Sequence, residues 1–183
     1  MNKLIAIVGM AGSGKSIACE FLEEKGFNKI YFGGVVLKKL KEASLEINPV
    51  NEKMMREKLR KDLGMAAVAI TLLPDIKKSL NEGDTVLDGL YSWDEYLVLK
   101  KEFPELELLC INANKSLRYK RISERVVRPL TEEEVSKRDV SELENLAKGS
   151  PIAISDYFIL NNFGMDEYVK QLEEFYEIIR EEV

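Results

Sequence analysis

Short runs of apolar residues alternate along the chain with stretches in which apolar residues recur every three or four positions. The short runs predict buried strands, at about residues 3–8, 29–32, 85–88, 105–112 and 156–160. The longer stretches predict helices, at about 15–25, 35–43, 51–63, 65–80, 93–103, 116–127, from 131 onwards and 168–179. Helices between successive strands imply right-handed crossovers. The pattern therefore predicts an α/β fold in one domain, residues 1–183, with a five-stranded parallel sheet covered on both faces.

The segment GMAGSGKS, residues 9–16, lies between the first predicted strand and the first predicted helix. It has the spacing of a P-loop in the structural context that such a loop requires. Glycines let successive backbone N–H groups converge on phosphates, Lys15 reaches the β- and γ-phosphates as a catalytic cation, and the Ser16 hydroxyl ligates Mg²⁺. The segment predicts ATP and Mg²⁺ as cofactors, with these nucleotide-binding residues: Gly9, Gly12, Ser13, Gly14, Lys15, Ser16 and Ile17.

Composition excludes several other kinds of chemistry. The chain has no histidine, which removes Ser-His-Asp and Cys-His catalysis and every metal site that needs an imidazole. Lys and Arg number 27 against 32 Asp and Glu, a net charge of -5, so no general basic field attracts nucleic acid or an anionic membrane. The N-terminus lacks a signal-peptide pattern, and we expect a cytoplasmic protein with small-molecule partners.

Two further features suggest phosphate chemistry. Asp88 ends the third predicted strand, where a carboxylate can hold a Mg²⁺-bound water or orient a nucleophile, with an Asp-Gly turn as the less favoured alternative. Four arginines spaced three, four and three apart would share one face of the helix predicted at 116–127; they are Arg118, Arg121, Arg125 and Arg128. The stripe favours anion binding, with a solvated charged face as the alternative, and its last two members lie beside a polar segment that can move.

These motifs, with YFGGVV after the second strand and ISDYFILNNFG at 154–164, resemble the nucleoside monophosphate kinase and dephospho-coenzyme A kinase group of P-loop kinases. The resemblance is closer to uncharacterised adenylate-kinase-like archaeal and bacterial proteins. It implies a three-layer P-loop NTPase fold with strand order 2-3-1-4-5, an acceptor-binding helical region at about 33–80 and a lid at about 125–150. It also implies that Asp88 assists catalysis, that Arg125 and Arg128 close on the phosphates, and that Asn162 lies near the adenine.

The acceptor half of the site departs from that family. Leu37 and Tyr91 stand where these kinases usually place arginines for the acceptor's phosphate. Arg56 and Arg60, one helical turn apart, are predicted to replace them, with Lys38 as a further donor, whereas ion pairs with neighbouring glutamates are the alternative. The sequence predicts a Mg²⁺-ATP-dependent phosphotransferase acting on a small, nucleotide-like acceptor. The alternative is an ATP-binding switch with slow hydrolysis and a protein partner.

Overall fold

The computed structural model describes residues 2–181, and this part of the chain forms five strands and nine helices. In chain order they are β1 (Leu4–Val8), α1 (Lys15–Glu24), β2 (Asn28–Tyr31), α2 (Gly33–Glu42), α3 (Pro49–Leu63), α4 (Ala67–Glu82), β3 (Thr85–Asp88), α5 (Trp93–Glu102), β4 (Glu107–Asn112), α6 (Lys115–Ser123), α7 (Glu132–Leu146), α8 (Gly149–Ala153), β5 (Tyr157–Leu160) and α9 (Met165–Glu181).

The five strands form one parallel sheet in the order β2-β3-β1-β4-β5, which confirms the predicted order. In this register Ile7 of β1 lies beside Asp88 of β3, and Asp88 lies beside Tyr31 of β2. The carboxyl ends of these three strands therefore meet at one edge of the sheet. The loop after β1 emerges at the same edge, which is where open α/β sheets bind their ligands.

Each face of the sheet carries its own hydrophobic core. Successive side chains of a strand point to opposite faces, and the even positions of β1 (Leu4, Ala6, Val8) pack with buried residues of α2 to α5. The odd positions Ile5 and Ile7 pack with α1 and α9. Helices cover both faces, as the alternating pattern predicts. Of the helices in residues 2–181, none is both long and apolar enough to cross a membrane.

The helix that carries the arginine stripe is shorter than the sequence predicts. It ends at Ser123, so Arg125 and Arg128 lie beyond it and the four arginines do not share a helical face. Val126 and Val127 are 99% and 73% exposed, so a longer helix would gain no packing there. The residue before a proline also disfavours the helical region, and Arg128, which precedes Pro129, has a φ of 53°.

The segment that follows this loop consists of α7, a turn at Ala147 and the short helix α8, and it is named the lid after the resemblance. A capping box is present at the start of α7: the Thr131 hydroxyl accepts from the Glu134 N–H, and the Glu134 carboxylate accepts from the Thr131 N–H. The sequence pattern did not predict α8. The lid spans most of the 125–150 region that the resemblance implied.

Candidate nucleotide-binding site

The P-loop joins β1 to α1 through three glycines with left-handed backbone conformations. Their φ angles are 140° at Gly9, 79° at Gly12 and 107° at Gly14. Space is restricted as well, because a Cβ atom at Gly9 would lie 2.2 Å from the Ile111 carbonyl oxygen, and one at Gly14 would lie 2.4 Å from Nδ2 of Asn161. Both the backbone angle and the close approach therefore require glycine at these positions.

Three elements fix the loop from outside. Asn161, directly after β5, donates from Nδ2 to the Ser13 carbonyl at 2.9 Å. The Tyr168 hydroxyl on α9 donates to the Gly14 carbonyl at 2.9 Å, and Arg118 on α6 donates from Nη1 to the Ala11 carbonyl at 2.8 Å. These bonds engage the carbonyl groups of Ala11, Ser13 and Gly14. The loop is therefore held in its curled form without a ligand.

Lys15 begins α1 and donates from Nζ to the Met10 carbonyl at 3.0 Å. Burial, together with the nearby positive charge of Lys148, lowers the pKa of Lys15 to about 7 against smaller opposing contributions from Glu142 and Asp88. A carbonyl compensates a buried ammonium only weakly. An anion placed against Lys15 would favour its charged form, as a phosphate does in a P-loop.

A cavity of about 380 Å³ opens in front of the loop. In the part of the chain that the structure describes, its lining includes five cationic side chains and one carboxylate. The lining residues are Ala11, Gly12, Gly14, Lys15, Ser16, Ile17, Tyr31, Asp88, Tyr91, Arg121, Arg125, Arg138 and Lys148. Since the whole chain is acidic, this local excess of positive charge is specific to the cavity and suits a polyphosphate.

The arginines of the predicted stripe separate into different roles. Arg118 is buried and pairs with Asp139 of α7 at 2.6 Å, so it connects α6, the P-loop and the lid. Arg121 faces the cavity and donates from Nη2 to Asn161, while its buried Nη1 has no hydrogen-bond partner among residues 2–181. Arg125 also lines the cavity. Arg121 is thus a binding candidate that the sequence could not separate from a solvated residue.

The lid supplies two cations that the sequence reasoning did not select. Glu142 of α7 accepts from Lys148 Nζ at 2.5 Å and from Arg138 Nε at 2.9 Å, and Lys148 Nζ lies 4.8 Å from the centre of the Tyr91 ring. Burial alone would raise the pKa of Glu142, but Lys148 and Arg138 outweigh it and lower the pKa. Arg138 and Glu142 have the i, i+4 spacing of a helical ion pair, which was a usable signal; Lys148 had none.

Asp88, Tyr31 and Tyr91 line the same cavity, and Tyr91 is the ring that Lys148 contacts. Burial raises the pKa of Asp88, opposed by the positive charges of Lys29 and Lys15. Ser16, at the first turn of α1, is exposed to the same cavity. Hydroxyl and carboxylate oxygens are the donors that Mg²⁺ accepts, and residues 2–181 hold no cluster of three acidic or thiol ligands. This donor set fits a Mg²⁺ ion held mainly by nucleotide phosphates.

Within residues 2–181, the remaining predicted residues do not line the cavity. Arg128 donates from Nη2 to Glu52 of α3 at 3.1 Å, and Arg56 lies 3.6 Å from the same carboxylate, the ion pair that was the alternative interpretation. Arg60 is half-buried on α3 and Lys38 is exposed on α2. Asn162 accepts at Oδ1 from the Asn114 N–H at 2.8 Å. Within the P-loop, Gly9 and Ser13 shape the backbone without lining the cavity.

Comparisons with known proteins find relatives over most of the chain. A family described as AAA domain matches residues 5–141, which include the P-loop, Asp88 and Arg138. A UPF0200 protein of Thermococcus onnurineus is 30% identical over 181 residues, covering 96% of this chain and 97% of that protein. A UPF0200 protein of Sulfurisphaera tokodaii is 32% identical over 176 residues, covering 94% of each.

Solved structures share the fold at low sequence identity. TT1252 from Thermus thermophilus superposes with a TM-score of 0.67 at 17% identity, covering 100% of this chain and 98% of that one. A shikimate kinase from Bacteroides thetaiotaomicron has a TM-score of 0.61 at 11% identity, covering 98% and 99%. Dephospho-CoA kinase from Campylobacter jejuni has a TM-score of 0.58 at 16% identity, covering 98% and 96%.

The sheet order, the P-loop and these neighbours define a protein with the P-loop kinase fold, as the sequence resemblance implied. The chain belongs to the AAA domain family and to the UPF0200 proteins.

Proposed function

We propose that this protein is a Mg²⁺-ATP-dependent phosphotransferase that moves the γ-phosphate of ATP to a small acceptor. The observation that carries the proposal is the cavity itself, of about 380 Å³, whose lining combines Lys15 and four further cations with one carboxylate, Asp88. The cations bind the polyphosphate. The carboxylate orients the group that attacks it, which is the division of roles that phosphoryl transfer requires.

The donor nucleotide lies along the P-loop in this proposal. The backbone N–H groups of residues 12–17 and Lys15 hold its β- and γ-phosphates, and Arg121 and Arg125 neutralise charge that develops on the transferred group. The adenine lies toward Asn162, which follows β5 directly after the residue that anchors the loop. Ser16 and Asp88 would hold Mg²⁺, which when bound draws negative charge away from the phosphate oxygens.

The acceptor occupies the space beside Tyr31 and Tyr91, with its reactive group toward Asp88. The two rings offer apolar faces on which a flat or ring-shaped acceptor can stack, and their hydroxyls can bind its polar atoms. Asp88 pairs with Tyr31 in the sheet register and lines the cavity together with both rings, so an acceptor held against the rings would have its reactive group near Asp88. This placement favours a nucleotide-like or other cyclic acceptor.

The test is ADP formation, measured in a coupled assay with and without candidate acceptors. The panel contains nucleoside monophosphates, deoxynucleotides and dephospho-coenzyme A. We expect at least one acceptor to raise ADP formation above the basal rate, and Lys15→Ala to remove that increase. Lys25→Ala is the matched control, since Lys25 follows the same helix and pairs with Glu173 at 2.7 Å away from the cavity. Wild-type rates from Lys15→Ala would refute the proposal.

A second candidate function is an ATP-dependent switch with slow hydrolysis and a protein partner. The observation that favours it is the exposure of Val126 and Val127, next to Arg125 at the cavity. Closure of Arg125 on a phosphate would move this apolar pair, and a partner could sense the movement. If ATP binds but no acceptor stimulates turnover, the switch becomes the better account.

A further inference from the structure

Lys148 is an unusual residue of the lid because its side chain is almost fully enclosed. It is 2% exposed, and its position results from the turn that ends α7. Ala147 has a left-handed conformation with a φ of 47°, and the Lys148 N–H donates to the Glu142 carbonyl at 3.3 Å. The turn thus folds the chain back beneath α7. It directs a lysine toward the cavity rather than toward solvent.

Lys148 shares its anionic partner with a second cation. Glu142 accepts from both Lys148 and Arg138, and these two cations line the cavity that contains Lys15, whereas Glu142 lies behind them and does not line it. Either cation would be enough to pair Glu142. If Lys148 moved to another anion, Glu142 would keep its bond to Arg138 and would not be left as an unpaired buried charge, which is strongly unfavourable.

We propose that Lys148 is a phosphate-binding residue, and that Glu142 is the anionic partner that Lys148 gives up for the terminal phosphate when ATP binds. This inference rests on the proposed function, since it requires ATP in the cavity. On binding, Lys148 Nζ exchanges the Glu142 carboxylate for a γ-phosphate oxygen, and Arg138 keeps Glu142. A phosphate group is the stronger partner because it carries more charge and more acceptor oxygens.

The neighbourhood of Lys15 supports the choice of the terminal phosphate. Among the charged groups near Lys15, Lys148 has the largest effect on its pKa and lowers it. P-loop lysines contact the β- and γ-phosphates. Two ammonium groups that share one cavity repel each other until an anion lies between them. The terminal phosphate of ATP would relieve this repulsion, whereas ADP ends one phosphate short of it.

The experiment compares ATP and ADP binding by titration calorimetry in the presence of Mg²⁺. We expect Lys148→Met to weaken ATP binding by about 10- to 100-fold, since a hydrogen bond to a charged group is lost, and to change ADP binding by less than about threefold. Lys137→Met is the matched control: Lys137 is on the lid helix α7, is 75% exposed and pairs with Glu133 at 2.6 Å. It should bind both nucleotides like the wild type.

Glu142→Gln supplies a second, independent readout. Because the proposal makes Glu142 a competitor of the phosphate, this variant should bind ATP as tightly as the wild type or several-fold more tightly, with Glu133→Gln as its control. Unchanged ATP binding in Lys148→Met, an equal loss of ATP and ADP binding, or weaker ATP binding in Glu142→Gln would each overturn the inference. A wild-type protein that binds no ATP would refute the proposed function together with it.

Discussion

The buried ion pair between Arg118 and Asp139 is the contact whose loss should affect this protein most. Asp139 accepts from Arg118 Nη2 at 2.6 Å and Nη1 at 3.3 Å, and both side chains are largely removed from solvent. The same guanidinium donates to the Ala11 carbonyl of the P-loop. One pair therefore links α6, the lid helix α7 and the nucleotide loop.

Asp139→Ala leaves the Arg118 guanidinium buried with the Ala11 carbonyl as its remaining partner in the contacts above. Removing one partner of a buried ion pair destabilises a protein by about 3–5 kcal/mol. Domains of this kind have total stabilities of about 5–15 kcal/mol, so the free energy of unfolding should fall by a large fraction. Arg118→Met should destabilise similarly, because it leaves Asp139 unpaired and also frees the Ala11 carbonyl.

The assay is urea denaturation of the wild type, both single variants and the double variant Arg118→Met/Asp139→Leu. The double variant should recover much of the lost stability, since apolar replacement of a buried pair is often nearly neutral. The control is Glu124→Ala, which removes the exposed partner of Lys120 at 3.9 Å and should change stability by less than about 0.5 kcal/mol. A loss below about 1 kcal/mol in Asp139→Ala would refute the argument, because it would mean that water already screens this pair.

Three other predictions follow from the site and the core. Gly33→Ala should change the acceptor KM without changing ATP affinity, because its Cβ would lie 2.3 Å from the Tyr31 ring. Gly34→Ala is the control, since its Cβ would lie 3.9 Å from the same ring. Equal effects of the two variants would contradict an acceptor site at Tyr31. Arg125→Ala should lower kcat by more than it weakens ATP binding, in the coupled assay with calorimetry, whereas Arg128→Ala should have the smaller effect because Arg128 pairs with Glu52. Burial raises the pKa of Cys19, and raises that of Cys110 to about 11, so both thiols should resist a thiol reagent at pH 8 until the protein unfolds; rapid labelling of the native protein would contradict their burial.

The sequence by itself determined the elements and the nucleotide loop. Apolar runs predict strands, and apolar residues at helical spacing predict helices; both signals are local. The P-loop is local too, since its glycines and Lys15 must stand at fixed distances from the strand and helix that flank them. The order of the sheet came from the resemblance, because strands with similar apolar runs do not reveal their neighbours.

Only the tertiary structure decided which cations reach the cavity. Arg125 and Arg128 look equivalent in the sequence, yet one lines the cavity and the other pairs with Glu52, because α6 ends at Ser123 and the following loop turns at Arg128. Arg56 likewise has a glutamate one turn away, and an exposed pair of this kind forms wherever nothing stronger competes.

Lys148 is a cavity residue that the sequence did not predict. No neighbouring residue in the sequence marks Lys148 as a binding residue. Three features of the fold make it a candidate: the left-handed turn at Ala147, the burial of its side chain, and the carboxylate that it shares with Arg138. Local patterns record how a segment folds against water. The partner of a charged side chain depends on which distant groups the finished fold places within a few ångströms, and electrostatic interactions are strong only at that range and in that low-dielectric setting.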